Sequence, residues 1–300
     1  MELGQLQESA EAYTQAAQLC PFFLDAYVGR GNVFMDYCHT KANKQAQKDF
    51  LSALHLNPLC SSARISLGYN LQVFGSFQKA WNQFTVAVAL HPECWAALEG
   101  RAVVNLQMGN THAAFQDIST GLQNNPHSDQ FHTNRGVINQ FMGDKVSAMR
   151  DYQKAISLNP KCALAFFNAA NLYFHNRQFS QACEYYSHAL ELDPRDESVL
   201  LNRAITQALQ QKVPEALLDF SEALRLNPFS SHVFFNRANL YCSLRRHCLA
   251  ERDLTQVLCF QPNDALVYKL RADVRGYLGW TELAISDYKM ALQLQEAMEY

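Results

Sequence analysis

The sequence predicts an all-helical solenoid of tandem helix-turn-helix repeats, and three observations predict it. Proline recurs at Pro58, Pro92, Pro126, Pro160, Pro194, Pro228 and Pro262, always 34 residues apart, with Pro21 one period plus three residues ahead of Pro58. A fixed period of about 20–50 residues marks a stack of near-identical supersecondary units. Between the prolines, apolar residues return at three- and four-residue spacing in two segments per period, the pattern of two amphipathic helices. Small residues hold fixed places alongside large ones, as close helix packing requires.

Aligned on the prolines, the chain opens with the second helix of a truncated repeat at 1–23. Repeats 1 to 8 then follow at 24–60, 61–94, 95–128, 129–162, 163–196, 197–230, 231–264 and 265–300. Places within a repeat are numbered so that proline stands at place 32. In each repeat a first helix (A) comes first, and its place 8 is always small: Gly31, Gly68, Ala102, Gly136, Ala170, Ala204, Ala238 and Ala272. Glycine at the reversal (Gly75, Gly109, Gly143, Gly279) lets the chain turn back. The second helix (B) carries alanine at place 20 in all eight repeats, from Ala46 to Ala284. Its place 24 is large and mostly aromatic: Phe50, Phe84, Ile118, Tyr152, Tyr186, Phe220, Leu254 and Tyr288. The Asn-Pro or Asp-Pro step then stops helix B, because proline disfavours helix in the residue before it. Both ends are ragged: no first helix precedes Gly4, and no polar capping helix follows repeat 8. Terminal repeats ordinarily need a polar outer face, so the array is expected to belong to a longer chain.

The 34-residue length, small place 8, alanine at place 20, aromatic place 24, small place 27 and proline at place 32 together resemble the tetratricopeptide repeat. The likeness runs over essentially the whole chain. Place 4 is not tryptophan, repeat 1 carries three extra residues, and Glu296 replaces the proline of repeat 8. The resemblance implies a right-handed superhelix whose inner face carries helix A side chains. It also implies a non-enzymatic scaffold for other proteins. Related plain arrays serve assembly complexes, ciliary ones among them.

Comparison of the repeats with one another separates two ladders. Place 7 is Arg in six repeats (Arg30, Arg101, Arg135, Arg203, Arg237, Arg271), and place 23 is Asp in the same six (Asp49, Asp117, Asp151, Asp219, Asp253, Asp287). Leu67 and Ala169 lack the cation, and their repeats carry Gln83 and Tyr185 instead of the acid. Co-variation inside a repeat predicts helix A pinned to helix B, with the guanidinium fork gripping a carboxylate. Loss of the acid is then expected to strand a buried guanidinium.

The second ladder is amide. Place 6 reads Asn134, Asn168, Asn202 and Asn236 in four consecutive repeats, and place 9 adds Asn171 and Asn239. Phe167 and Phe235 stand beside them at place 5. An amide offers both donor and acceptor, so it can pair with a peptide unit whatever its side chain. Helices ~8–10 Å apart against ~3.3 Å per extended residue give about one rung for every third residue of a bound peptide. A similar ladder lines the superhelix of O-GlcNAc transferase. The other meaning is that the amides bridge neighbouring A helices, and that Phe167 and Phe235 are core rather than exposed anchors.

Other functions find little support. With 25 Lys+Arg against 28 Asp+Glu and a net charge of −3, the chain lacks the basic excess of a nucleic-acid face. No run of 18 apolar residues offers a membrane span, and no signal peptide opens the chain. The nine cysteines include no C-x-x-C pair and are expected to be reduced thiols, which predicts a cytoplasmic protein. The histidines show no metal spacing, and GRGN at 29–32 falls within helix A, so no cofactor or catalytic residue is assigned. The family's clamp for acidic chaperone C-termini is not assembled: Lys269 is the only base at place 5, and Asp273 at place 9 opposes it. A substrate arm of a longer enzyme and a plain structural spacer remain as alternative roles.

Overall fold

The computed structural model describes residues 3–37 and 39–297, and all its regular elements are helices. A lone helix α1 (Leu3–Leu19) comes first. Pairs of A and B helices follow: α2 (Leu24–Asp36) with α3 (Thr40–Leu56), α4 (Ser61–Val73) with α5 (Phe77–Leu90), α6 (Trp95–Gln107) with α7 (Thr111–Asn124), and α8 (Asp129–Phe141) with α9 (Lys145–Leu158). The remaining pairs are α10 (Ala163–His175) with α11 (Phe179–Leu192), α12 (Glu197–Leu209) with α13 (Val213–Leu226), α14 (Ser231–Ser243) with α15 (His247–Phe260), and α16 (Ala265–Tyr277) with α17 (Thr281–Glu296). They form two compact bodies, residues 1–160 and 161–300.

Local sequence accounts for the boundaries. Asn57, Asn159, Asp193 and Asn227 close their B helices in extended backbone, as the following prolines demand. Ser128, Asp144, Asp196 and Asp264 open the next helices by accepting hydrogen bonds from free backbone N–H groups. At the A-to-B reversal the backbone enters the left-handed region, with φ of 68° at Gly75 and 77° at Gly279. The same turn in repeats 5, 6 and 7 is made by Arg177, Gln211 and Arg245, at φ of 60°, 63° and 55°. A side chain there costs about 1 kcal/mol. Arg177→Gly is therefore expected to stabilise the C-terminal body by a few tenths to about 1 kcal/mol, read as a raised urea midpoint. An unchanged or lowered midpoint would show the arginine to be held by something stronger than the strain.

The core follows the small/large pattern. Seven of the place-20 alanines, Ala46 to Ala250, are fully buried, and the rings of Phe50, Phe84, Tyr152, Tyr186 and Phe220 are sealed between helices. At Gly31 the approach is so close that an added Cβ would lie 2.5 Å from the Phe50 ring. Within each body successive A helices touch, α2 with α4 and α4 with α6, α10 with α12 and α12 with α14. That closeness puts the A-helix side on the inside of each body's curve.

Candidate peptide-binding face

Six Arg–Asp pairs join helix A to helix B inside their own repeats. In each, Nε and Nη2 of the arginine donate to the two carboxylate oxygens at 2.5–3.0 Å. The burial differs from the sequence expectation. The carboxylate is the deeper partner, at 3–10% side-chain exposure, while the guanidinium keeps 12–29%. A carboxylate sits on a short stem beneath the helix contact, whereas arginine reaches in from the edge. The bond to Asp253 holds Arg237 above its ordinary pKa, so it stays charged.

A third side chain joins this network in three of the repeats. Sixteen residues ahead of each arginine, on the preceding B helix, stands a hydroxyl: Thr14, Thr85, Ser119, Ser187, Ser221 or Thr255. Thr14, Ser187 and Thr255 accept from Nη1 of Arg30, Arg203 and Arg271 at 3.0–3.2 Å. Ahead of Leu67 and Ala169 the place holds Leu51 and Gln153, so the hydroxyl tracks the arginine throughout. The signal lies between repeats, as a Ser or Thr sixteen residues ahead wherever place 7 is Arg. The two repeats without the pair use substitutes: Arg64 donates to Gln83 at 3.1 Å, and Tyr185 lies against Phe166 and Tyr173.

The amides of place 6 take different partners. Asn134 on α8 donates to Glu99 of α6 at 2.8 Å, and Asn202 on α12 donates to Oδ1 of Asn171 on α10 at 3.2 Å. Both bonds bridge neighbouring A helices. Asn236 donates back to the His232 carbonyl at 2.8 Å, and Asn168 has no hydrogen-bond partner among the described residues. Tyr186 fixes Asn171 from below, its hydroxyl donating to the same Oδ1 at 2.6 Å. Burial pushes that phenol well above its ordinary pKa, so it remains a donor. Asn239 is exposed. Phe167 and Phe235 are half-buried, with Phe167 6.1 Å from the Tyr186 ring and Phe235 against the Leu254 cluster.

Two open cavities adjoin along this face of the C-terminal body and share Ile205. One, of about 140 Å³, lies among Asn171, Phe174, His175, Tyr186 and Asn202. The other, of about 670 Å³, is a notch between α12 and α14 floored by Phe220 and Leu240, with Asn236 and Asn239 on its wall and Leu209 at its mouth. Asparagine amides thus line both recesses. Asn134 belongs to the N-terminal body and lines neither cavity.

No group of three metal-ligating side chains exists among the described residues, and no described helix is long and apolar enough to cross a membrane. No disulfide joins any of the eight described cysteines; Cys38 lies outside the described residues. Burial raises the Cys183 and Cys242 thiols, which disfavours the reactive thiolate.

Two tetratricopeptide-repeat family models match residues 129–162 and 163–196, consecutive repeats in the register set by the prolines. Residues 129–196 are thus two tetratricopeptide repeats. Over 108 residues it is 58% identical to human tetratricopeptide repeat protein 6, a stretch covering 36% of this chain and 21% of that protein. Solved tetratricopeptide folds are similar over longer spans. A tetratricopeptide repeat protein from Parabacteroides merdae superposes with a TM-score of 0.62 at 19% identity, covering 87% of this chain and 98% of that one. The Cut9–Hcn1 hetero-tetramer structure of the APC/C gives 0.69 at 15% identity, covering 90% and 52%. Pseudomonas aeruginosa PilF gives 0.59 at 19% identity, covering 72% and 97%. At these identities the likeness is one of fold. Tetratricopeptide repeats are protein-binding modules as a class.

Proposed function

We propose that this tetratricopeptide array is a non-enzymatic adaptor that binds extended peptide segments along the A-helix face of residues 161–300. The observation that carries it is the pair of adjoining cavities sharing Ile205, with Asn171 and Asn202 at one and Asn236 and Asn239 at the other. Recesses accept side chains while the amides offer donors and acceptors to peptide backbone. The Asn202–Asn171 bond uses one N–H of Asn202, and its Oδ1 makes no hydrogen bond among the described residues. Bridging and binding are therefore compatible. The groove accordingly rests on repeats 5 to 7, and Asn134 serves as a bridge to Glu99. Assembly of a multiprotein complex in the cytoplasm, a ciliary one included, is the setting that the tetratricopeptide resemblance suggests.

Affinity capture compares the wild type with Asn168→Ala/Asn202→Ala/Asn236→Ala/Asn239→Ala, both confirmed folded by circular dichroism. Selective loss of a set of partners is expected. An unchanged partner list from the folded variant sinks the groove.

A further inference from the structure

The A-to-B turns of repeats 5 to 7 form an edge unlike that of repeats 2 to 4. Places 15 and 16 read Arg177-Gln178, Gln211-Lys212 and Arg245-Arg246, against Gly75-Ser76, Gly109-Asn110 and Gly143-Asp144. Four cations therefore stand on three successive turns of a chain whose net charge is −3. All four side chains are exposed, and among the described residues none makes an ion pair or side-chain hydrogen bond. Glu215 is the only carboxylate in the segments 175–180, 209–215 and 243–249.

Neither packing nor capping calls for these cations. A Cβ placed at Gly75, Gly109, Gly143 or Gly279 meets nothing within 4 Å, so the place faces open space in every turn tested. The negative end of an A helix favours a nearby cation, yet repeats 2 to 4 close the same helix end with Gly-Ser, Gly-Asn and Gly-Asp. Arg177 and Arg245 moreover hold left-handed backbone that glycine would adopt freely.

The edge is continuous with the cavities. His175, two residues before Arg177, lines the smaller one. Gln211 and Val213, on either side of Lys212, line the larger, as does Leu244, next to Arg245. A peptide whose apolar side chain occupies the notch between α12 and α14 therefore has Lys212, Arg245 and Arg246 beside the cavity rim, since their chain neighbours line it.

We propose that this groove selects acidic peptides, an apolar side chain entering the cavity beside Leu209 and Leu240 while flanking Asp or Glu carboxylates lie against Arg177, Lys212, Arg245 and Arg246. This rests on the peptide-binding function proposed above and adds its ligand class. The chemistry differs from a clamp for a chain terminus, because the charges sit on turns rather than on the inward places of helix A. Exposed charges of this kind steer encounter and set partner choice, and salt screens them.

The test uses the whole chain, biotinylated at one end, and an untagged nonamer library with a central leucine and all other places randomised. Bound peptides are recovered on streptavidin and read by mass spectrometry. Recovered sequences are expected to hold Asp and Glu at about threefold or more over the input library, with the bias lost at about 0.5 M salt. Arg177→Glu/Arg245→Glu/Arg246→Glu alters only exposed side chains and is expected to reverse the bias toward Lys and Arg. Peptides recovered without acidic bias, or a bias untouched by charge reversal, overturn the acidic specificity and leave the groove standing. Recovery no better than beads alone overturns the groove as well.

Discussion

Arg237→Leu is expected to destabilise the C-terminal body by about 3–5 kcal/mol, the cost of removing one partner from a buried ion pair. Asp253 is buried, and Arg237 is the only side chain that donates to it among the described residues. The substitution leaves a carboxylate without compensation and also removes the guanidinium from the Phe234 and Tyr241 rings, 5.5 and 5.9 Å away. Asp253→Leu should cost less, since the stranded arginine keeps an edge in water. The double leucine variant should recover much of the loss by turning the site into ordinary apolar packing. By contrast Arg135→Leu should cost less than Arg237→Leu, because Asn139 still donates to Asp151 at 2.9 Å. Urea titration followed by circular dichroism gives the ranking, and amide exchange in α14 and α15 localises it. A repeat array need not unfold in one step, so the local readout guards against a masked effect. If Arg237→Leu melts like wild type, the pair contributes nothing and the structural account of the ladder fails.

Tyr186→Ala should cost about 3–5 kcal/mol, the usual range for deleting a buried ring and leaving its cavity. Tyr186 is 1% exposed and sits between α10, α11 and α12, where Ala170, Ala182 and Ala204 leave room for it. Tyr186→Phe keeps the ring and should cost only about 1 kcal/mol, the worth of its hydrogen bond to Asn171. The pair of variants separates packing from polar anchoring. It also reaches the proposed groove, because the phenol and Asn202 share the same Asn171 oxygen. Peptide capture by a folded Tyr186→Phe protein should therefore change in affinity although the altered residue is itself only 1% exposed. Equal midpoints for the two variants would show that the ring does not fill the space assigned to it.

The fold was legible because its determinants are local and repeated. Spacing of apolar residues sets helix faces, glycine and proline set turns, and the pairing of Gly31 with Phe50 or Ala170 with Tyr186 sets how closely helices meet. Co-variation of places 7 and 23 pointed to the residues that touch. The hydroxyls, Thr14 among them, escaped because each belongs to the repeat before its arginine, and a serine or threonine on a helix flank looks unremarkable alone.

The candidate site was legible in residue type but not in use. Nothing in the sequence distinguishes Asn134, tied to Glu99, from Asn168, which has no such tie among the described residues. Phe167 and Phe235 read equally well as anchors or core, and the structure places both half-buried against core rings and aliphatics. A side chain's hydrogen-bond partner depends on a rotamer chosen by neighbours 30 or more residues away, as in the Asn134–Glu99 pair at a separation of 35.

By itself, then, the sequence determined an all-helical repeat array, its register and the paired charges that pin each hairpin, since all of these follow from spacing along one chain. Only the tertiary structure decided that carboxylates rather than guanidiniums lie deepest, which amides are already engaged, and that apolar recesses open between α12 and α14 beside a basic edge. Those properties depend on how much each side chain is covered by the repeat before and after it. Coverage is set by the distance and tilt between neighbouring helices, which no single repeat encodes.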